Sequence, residues 1–557
     1  VSDSELQAAV RLTLGLSGPL ARADPNFVER EVQQRLAQAV AAAVEDRETL
    51  VAEAGTGVGK TYAYLVPLLL AQRRALISTA TKNLQDQLFL RDLPRLKSLL
   101  GLPTRIALLK GRASYLCLHR LEQARTGALL PDRSAIWALS RIEQWAHRTR
   151  SGDLSEVDGL DDRASVIPIV TSTRDNCLGS DCPRHRDCHV MKARREALAA
   201  DIVVVNHHLF FADVALRDSG VAELLPTVDA VVFDEAHQVV DTGLQFLGEH
   251  LSTGVLLDFC RDLQAAGLQH AKGLQPWVDL AGGAERAARD LRLAAAGALK
   301  DLRGVVKLRW DERAAEPAFV AALAAVGRSL ATIAKALDPV VAMAPDLARM
   351  AERCGSLAAT ADGFATSAAA DRVRWIDCGP RDARLVESPL HIRDLFTEQR
   401  RAEKRAWIFT SATLGDDDAS SWFCGAAALE DARKLRVGSP FDYAAHARLW
   451  IARQLPRPGD PGHPAAVGRL AARLAQRLNG RTFVLTTTLR VLPAIADAIT
   501  HAAAEAGSAI EVLVQGREPK RALLARFGNG AGRVLVGSQS FWEGIDIAGD
   551  ALQCVII

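Results

Sequence analysis

The sequence predicts an α/β fold with two lobes, each built on a parallel sheet and interrupted in the first lobe by two long insertions. Three observations predict it. Short β-branched apolar runs alternate with helical stretches at residues 49–55 (TLVAEAG), 75–81 (ALISTAT), 201–208 (DIVVVNHH) and 230–237 (AVVFDEAH). Runs of that length without polar alternation are what strands buried on both faces require. The same pattern returns late in the chain, in RAWIFTSATL, RTFVLTTTL, GRVLVGSQS and QCVII. A Gly-rich turn follows the first run and opens a helix, the strand-to-helix junction of a doubly wound sheet.

Taken in order, residues 1–25 form an N-terminal segment and 26–109 the first part of lobe 1. Residues 110–200 are a first insert, carrying four of the nine Cys. Its opening part, from Lys110 to Arg150, has eight Lys/Arg against three Asp/Glu, a local surplus of +5 in a chain whose net charge is only +2. Any case for nucleic-acid binding must therefore be local. Residues 201–245 continue lobe 1, and 246–371 are a second insert with 32 Ala between Arg261 and Ala370. Ala has the best helix propensity, so a mainly helical insert is expected. Residues 372–415 complete lobe 1, and 416–557 form lobe 2.

At 557 residues the chain is too long for one core, and 49% hydrophobic with 24% charged residues excludes a disordered or collagen-like protein. Nine Cys are too few for a disulfide scaffold, and the N-terminus VSDSELQAAV lacks the pattern of a signal peptide, so a reducing cytoplasm is expected. Pro67 interrupts YAYLVPLLLA, and Arg328, Lys335 and Asp338 interrupt 319–344, which leaves no uncharged run of about 18 residues to span a bilayer. The chain closes on the apolar run CVII with no polar terminator, and an incomplete second lobe is the expectation.

The strongest chemical signal is AEAGTGVGKT, residues 52–61. Small residues Ala54, Gly55, Thr56, Gly57, Val58 and Gly59 let successive backbone N–H groups approach phosphate oxygens. The helix start adds partial positive charge, Lys60 reaches the outer phosphates, and Thr61 can ligate Mg²⁺. A plain structural turn would need neither Lys60 nor Thr61. The second signal is AVVFDEAH, a buried strand ending in two carboxylates: Asp234 can hold Mg²⁺, and Glu235 can orient and deprotonate an attacking water. Alone, Asp-Glu after a strand is commonly a solvated loop; behind a phosphate loop the balance reverses.

With these two motifs on the page, the chain resembles the superfamily 2 helicases of the DEAH type, over nearly its whole length. FVEREVQQRLA resembles the adenine-reading motif, with Gln33 at its glutamine. ISTATKNLQDQL resembles motif Ia, which implies that Thr79, Thr81 and Lys82 lie along a DNA backbone. TSATL, Thr410 to Leu414, matches motif III, and SQSFWEGIDIAGD matches motif V, which implies Glu543, Gly544 and Asp546 at the nucleotide cleft and the nucleic acid. The resemblance makes both lobes RecA-like and has His237 couple the metal site to motif III. Two departures stand out: LTTTLRVLP lacks the usual aromatic and Ser of motif IV, and the chain ends at Ile557 ahead of the arginine-bearing motif VI.

Cys117 precedes CLGSDCPRHRDC, which supplies Cys177, Cys182 and Cys188. Three clustered thiols and one distant thiol can close a four-ligand site, and spacing alone leaves zinc and an iron–sulfur cluster both open. A four-Cys insert between motifs Ia and II resembles the XPD/DinG group, which implies a 4Fe-4S cluster there and an arch domain in the second insert. KGRASYLCLHRLEQ is most similar to the bacterial YoaA branch, with DinG next. The resemblance implies an ATP- and Mg²⁺-dependent DNA helicase moving 5′ to 3′ on single-stranded DNA, acting on 5′-tailed duplexes in repair or replication restart. It also implies a nucleoid setting and, for the YoaA branch, the chi subunit of the replicative polymerase as a partner. A redox-sensitive ATP-gated clamp without motor activity is the rival from another class, disfavoured by Glu235, which a clamp does not need; an RNA helicase is left open because both nucleic acids present the same phosphates. His207, His208, His185 and His189 read as structural or solvent-facing, and the remaining five Cys as ordinary thiols.

Overall fold

A computed structural model describes residues 4–25, 27–126, 133–161, 164–218, 224–299, 302, 304–518, 520–538, 541–542, 545, 547 and 549–557. The chain divides into two compact units: Val1–Ile136, Glu143–Asp153 and Ser165–Phe441 in the first, and Trp137–Ile142, Leu154–Ala164 and Asp442–Ile557 in the second.

In chain order, β1 (Thr49–Ala54), β2 (Ala75–Thr79), β3 (Ile106–Leu108), β4 (Ile202–Asn206) and β5 (Ala230–Asp234) build most of the first sheet. Strands β6 (Glu249–Ser252), β7 (Val306–Arg309), β8 (Arg372–Cys378) and β9 (Ala383–Pro389) lie in the second insert. The first sheet is then completed by β10 (Ala406–Ser411) and β11 (Arg433–Val437). The second unit holds β12 (Thr482–Leu485), β13 (Glu511–Val514), β14 (Arg533–Gly537) and β15 (Cys554–Ile556).

The seven-stranded sheet is parallel, in the order β11-β1-β10-β5-β2-β4-β3. Strand β10 sits between β1 and β5, with Glu53 opposite Ser411 and Thr410 opposite Asp234. The C-terminal ends of the three strands that carry the nucleotide-type motifs are thus neighbours, the place where open α/β sheets bind ligands. Both faces are covered, as the continuous apolar runs require. On one face the helices Glu31–Asp46 and Lys60–Ala71 pack Leu36, Val40, Leu65 and Val66 against the sheet. The other face is aromatic. Phe233 stacks on Phe409 at 4.9 Å between centroids and 7° between planes, and takes Phe210 edge-on at 4.9 Å.

The α/β expectation is borne out, and two boundaries shift. The break expected at 415/416 falls before β11, which pairs with β1 inside the first sheet. Its sequence RKLRV carries three charges, as edge strands do, and so lacks the apolar signature. The second insert is a helical bundle of Thr253–His270, Trp277–Ala296, Pro317–Leu337 and Pro345–Ala365, joined by an antiparallel sheet in the order β6-β9-β8-β7. Ile376, Cys378, Ala383 and Leu385 are buried in the bundle's own core, so this insert runs past the expected limit of 371. An Ala-rich composition averages out such short strands. Pro317–Met343 is, among the described residues, the one segment long and apolar enough by composition to cross a membrane. Its Phe319, Leu323, Val326, Leu330 and Ile333 are buried within the bundle.

In the second unit, four parallel strands in the order β13-β14-β12-β15 pack against the helices His463–Arg477 and Leu492–Glu505.

Phe233 is fully buried at the centre of the aromatic face. Phe233→Ala is expected to cost about 3–5 kcal/mol through lost burial and the cavity left behind; denaturant unfolding monitored by circular dichroism measures it.

Candidate functional site

The turn after β1 is shaped by contacts no other residue type would permit. Gly57 and Gly59 have φ of 85° and 82°, in the left-handed region, and a Cβ on Gly57 would meet the Phe441 ring at 2.2 Å. Val58 is fully buried and anchors the turn in the apolar core. From the next element, Ser439 Oγ donates to Thr56 O at 2.6 Å, and Gly55 N donates to Val437 O at 3.1 Å. The segment Val437–Phe441 therefore braces the loop from the side, a role the sequence reading missed because VGSPF carries no signal beyond that of a turn. Gln33 is buried and its Nε2 donates to Gly59 O at 3.0 Å, so this side chain touches the loop itself. Lys60 Nζ lies 3.4 Å from Ala54 O at the head of the helix.

Across the sheet edge, β5 ends at Asp234, which is buried with Tyr64 Oη donating to its Oδ2 at 3.4 Å. Burial first, then the neighbouring Glu235 carboxylate, pushes the Asp234 carboxyl up to about 7, against the opposing pull of Lys60. Such a site gains from any cation that settles in it. Glu235 adopts φ 54°, a left-handed conformation that a non-Gly residue holds only when its surroundings enforce it.

Ser411, the last residue of β10, joins the elements. His237 Nδ1 and Ser411 Oγ are 2.8 Å apart, and Ser411 Oγ reaches Glu235 Oε2 at 3.5 Å. One residue before the loop, buried Glu53 accepts from Leu414 N at 2.7 Å and pairs with Arg436 at 2.9 Å. Glu53 thus fixes the turn after Ser411, and only the tertiary pairing reveals it. His207 is fully buried, with Nδ1 2.7 Å from Ser78 Oγ, and burial pulls its ring down to about 3. It stays neutral, in keeping with the structural reading.

The proposed nucleic-acid contacts divide. Thr79 is fully buried at the end of β2, a central strand, out of reach of a nucleic-acid strand on the surface. Thr81 caps the helix Lys82–Gln87, accepting from Leu84 N at 3.3 Å, and Lys82 is exposed. Glu543, Gly544 and Asp546 lie outside the described residues.

Cys117, Cys177, Cys182 and Cys188 are all free thiols, each part-buried. Burial raises the Cys117 thiol, which also feels Cys182 and Cys177; Cys182 is raised by burial and feels Cys177 and Cys188. Cys182 therefore lies within electrostatic reach of the other three, and Arg112 Nη1 donates to Cys177 Sγ at 3.3 Å. That donor set suits a thiolate-bound metal group, because a cation would favour the thiolates that burial disfavours at Cys117 and Cys182. Among the described residues no three His, Cys, Asp or Glu side chains close around a single ion.

The basic segment is less available than its charge suggests. Lys110 is buried, with Nζ 2.7 Å from Asp86 and 2.6 Å from Asp153. Burial alone would lower it, but the two carboxylates outweigh burial and hold it above its ordinary value. Arg120 pairs with Asp262 at 3.5 Å and Arg125 with Glu143 at 3.2 Å. With Arg112 on Cys177, four of the eight cations already have partners within the protein, Lys110 buried and Arg125 at the surface, which leaves less of the local surplus of +5 for an external partner. The first insert also meets the second: Gln123 Nε2 donates to Asp346 Oδ1 at 3.0 Å, and Arg349 Nε donates to Asp175 O at 2.7 Å.

Two family models match the chain, a DEAD/DEAH box helicase over residues 30–134 and a helicase C-terminal domain over residues 471–557. Among curated relatives, "ATP-dependent DNA helicase YoaA" of Haemophilus influenzae is 36% identical over 542 residues, covering 97% of this chain and 83% of its own. The YoaA of Escherichia coli K12 is 38% identical over 550 residues with the same coverage. "ATP-dependent helicase DinG" of Mycobacterium tuberculosis H37Rv is 34% identical over 565 residues, covering 95% of this chain and 81% of its own.

The depressed ring of His207 carries a pH signature. The folded protein refuses a proton that the unfolded chain accepts below about pH 6.5, so stability is lost as pH falls from there toward 3. At pH 5 the loss is about 2 kcal/mol from this group. His207→Gln is expected to flatten the dependence between pH 6.5 and 5 in urea unfolding curves.

Proposed function

The chain belongs to the YoaA and DinG family of ATP-dependent helicases, and from that premise we propose that it couples ATP hydrolysis at the β1, β5 and β10 edge to movement along single-stranded DNA. The observation that carries this reading is the convergence on one sheet edge of Lys60, Asp234 and Glu235, with Ser411 bridged to His237.

In this reading the backbone N–H groups from Gly57 to Lys60 receive the phosphates, and Lys60 leaves Ala54 O to neutralise the outer ones. Thr61 and Asp234 hold Mg²⁺, which when bound supplies charge neutralisation at the β- and γ-phosphates. Support comes from the raised Asp234 carboxyl: its burial beside Glu235 makes a site short of positive charge. Glu235 orients a water and takes its proton, held in place by its left-handed backbone and by Ser411. His237 and Ser411 connect that carboxylate to the strand end before Thr413 and Leu414, so a change at the nucleotide is felt at motif III. Gln33, bound to Gly59 O, sets the loop and reads the base beside it. Lys82, exposed at the first turn of its helix, contacts the DNA backbone, with Thr81 holding that turn.

Cys117, Cys177, Cys182 and Cys188 are assigned to a 4Fe-4S cluster, supported by four part-buried free thiols, with Cys182 in electrostatic reach of the other three and Arg112 against Cys177. The cluster when bound supplies a four-thiolate staple across the first insert. Movement 5′ to 3′, preference for 5′-tailed duplexes, a place in repair or replication restart at the nucleoid, and contact with the polymerase chi subunit complete the proposal; they rest on the family resemblance.

Lys60→Ala is expected to abolish nucleotide-dependent turnover, and Glu235→Gln to lower DNA-stimulated ATP hydrolysis by roughly 10²–10⁴-fold while sparing nucleotide binding. Turnover at the wild-type rate by either variant would defeat the motor assignment. Anaerobically purified protein is expected to contain iron and acid-labile sulfide in near equal amounts, both lost in Cys182→Ser. Stoichiometric zinc without sulfide would replace the cluster by a zinc site.

A further inference from the structure

At the edge of the first sheet opposite the nucleotide motifs, where β1, β10 and β11 begin, a cavity of about 1060 Å³ opens beside the helix Arg393–Ala402. It is at the upper end of ligand-sized cavities. Seven Lys/Arg side chains line it against four Asp/Glu, a surplus of three positive charges. Some of that charge is internally spent: Arg393 pairs with Glu430 at 2.6 Å, Arg400 with Asp431 at 2.6 Å, Arg405 with Glu403 at 2.8 Å and Arg47 with Asp229 at 3.4 Å. The remainder is not. Among the described residues, Arg401, Lys404 and Arg433 meet no carboxylate, and all three are exposed. The wall also includes Trp407, 2% exposed, whose indole Nε1 is buried without a hydrogen-bond partner. The Arg405 guanidinium lies over that ring, 4.4 Å from its centroid.

Unspent cations around a concave, aromatic-walled cavity are a recognition site for anions, and the question is which kind. A nucleic-acid backbone presents phosphates without interruption, whereas only three of the seven cations here are unspent, and they are separated by ion pairs. A peptide places its acidic side chains at intervals, which suits isolated cations. We propose that this cavity binds an acidic peptide segment of a partner protein, with Arg401, Lys404 and Arg433 taking its carboxylates. The nucleotide loop occupies the other edge of the same sheet, so the site leaves the catalytic edge free.

The test is a fluorescein-labelled Asp- and Glu-rich decapeptide titrated with the full chain and followed by anisotropy, beside a labelled oligothymidylate. The peptide is expected to bind saturably and to weaken as salt is raised. Arg401→Glu/Lys404→Glu is expected to lower peptide affinity by about tenfold or more while leaving oligothymidylate binding and DNA-stimulated ATP turnover unchanged. Arg433→Glu, on a strand rather than the helix, is expected to act in the same direction, which separates loss of charge from damage to the helix. No binding by the wild-type chain, or equal binding by wild type and both variants, overturns the proposal. Displacement of the peptide by oligothymidylate, or loss of oligothymidylate binding in the variants, also overturns it and makes the cavity a nucleic-acid site.

Discussion

The placement of Ala406–Ser411 between Thr49–Ala54 and Ala230–Asp234 is the constraint on which the rest of the candidate site depends. Parallel pairing on both sides fixes which residues face each other at the strand ends, and a slip of one residue would turn every side chain to the opposite face. With Thr410 against Asp234 and Ser411 against Glu53, one hydroxyl can reach both His237 and Glu235. Aromatic stacking of Phe233, the residue before Asp234, on Phe409 and Trp407 locks that register. Packing on the aromatic face thus determines the geometry of the carboxylates.

Electrostatics at this edge oppose the fold's own stability. Asp234 is buried beside a second carboxylate, and Glu235 holds a backbone conformation disfavoured for its type. Natural cores seldom accept such a combination unless a ligand relieves it. The cysteine site is built on the same logic with the same sign: burial disfavours the ionised forms of two of its four thiols, Cys117 and Cys182. Each site is unfavourable alone and becomes favourable with a positive partner.

The fold class was legible because its strands are continuous apolar runs and its phosphate loop needs Gly at two left-handed positions, both local properties. Lys60, Asp234 and Glu235 were legible for the same reason: each stands at a strand end whose motif lies within a few residues. What could not be read was non-local. The order of the strands, the bracing of the loop by Ser439 and Phe441, and the hold of Glu53 on Leu414 join residues far apart in the chain. Burial misled in one direction. Lys110 counts as a cation in any window of sequence, yet Asp86 and Asp153 neutralise it inside the protein, and Thr79 reads as a surface contact although its strand is central. Charged edge strands such as Arg433–Val437 escaped because they lack the apolar pattern by which strands are found.

The position of Ala406–Ser411 in the chain has a consequence for biosynthesis. Thr49–Ala54 pairs with only two strands, Ala406–Ser411 and Arg433–Val437, and both are translated after the whole of the second insert. At about 5–20 residues per second, the ribosome takes on the order of ten to thirty seconds to pass from Asp234 to Ala406. Through that interval the nascent lobe has an apolar strand with no neighbour on either side and another open along one edge. Unpaired apolar edges recruit other chains. The second insert, with a core of its own, can fold meanwhile, so the order of synthesis leaves the catalytic lobe the last part of the first unit to close and the part with most need of a holding chaperone.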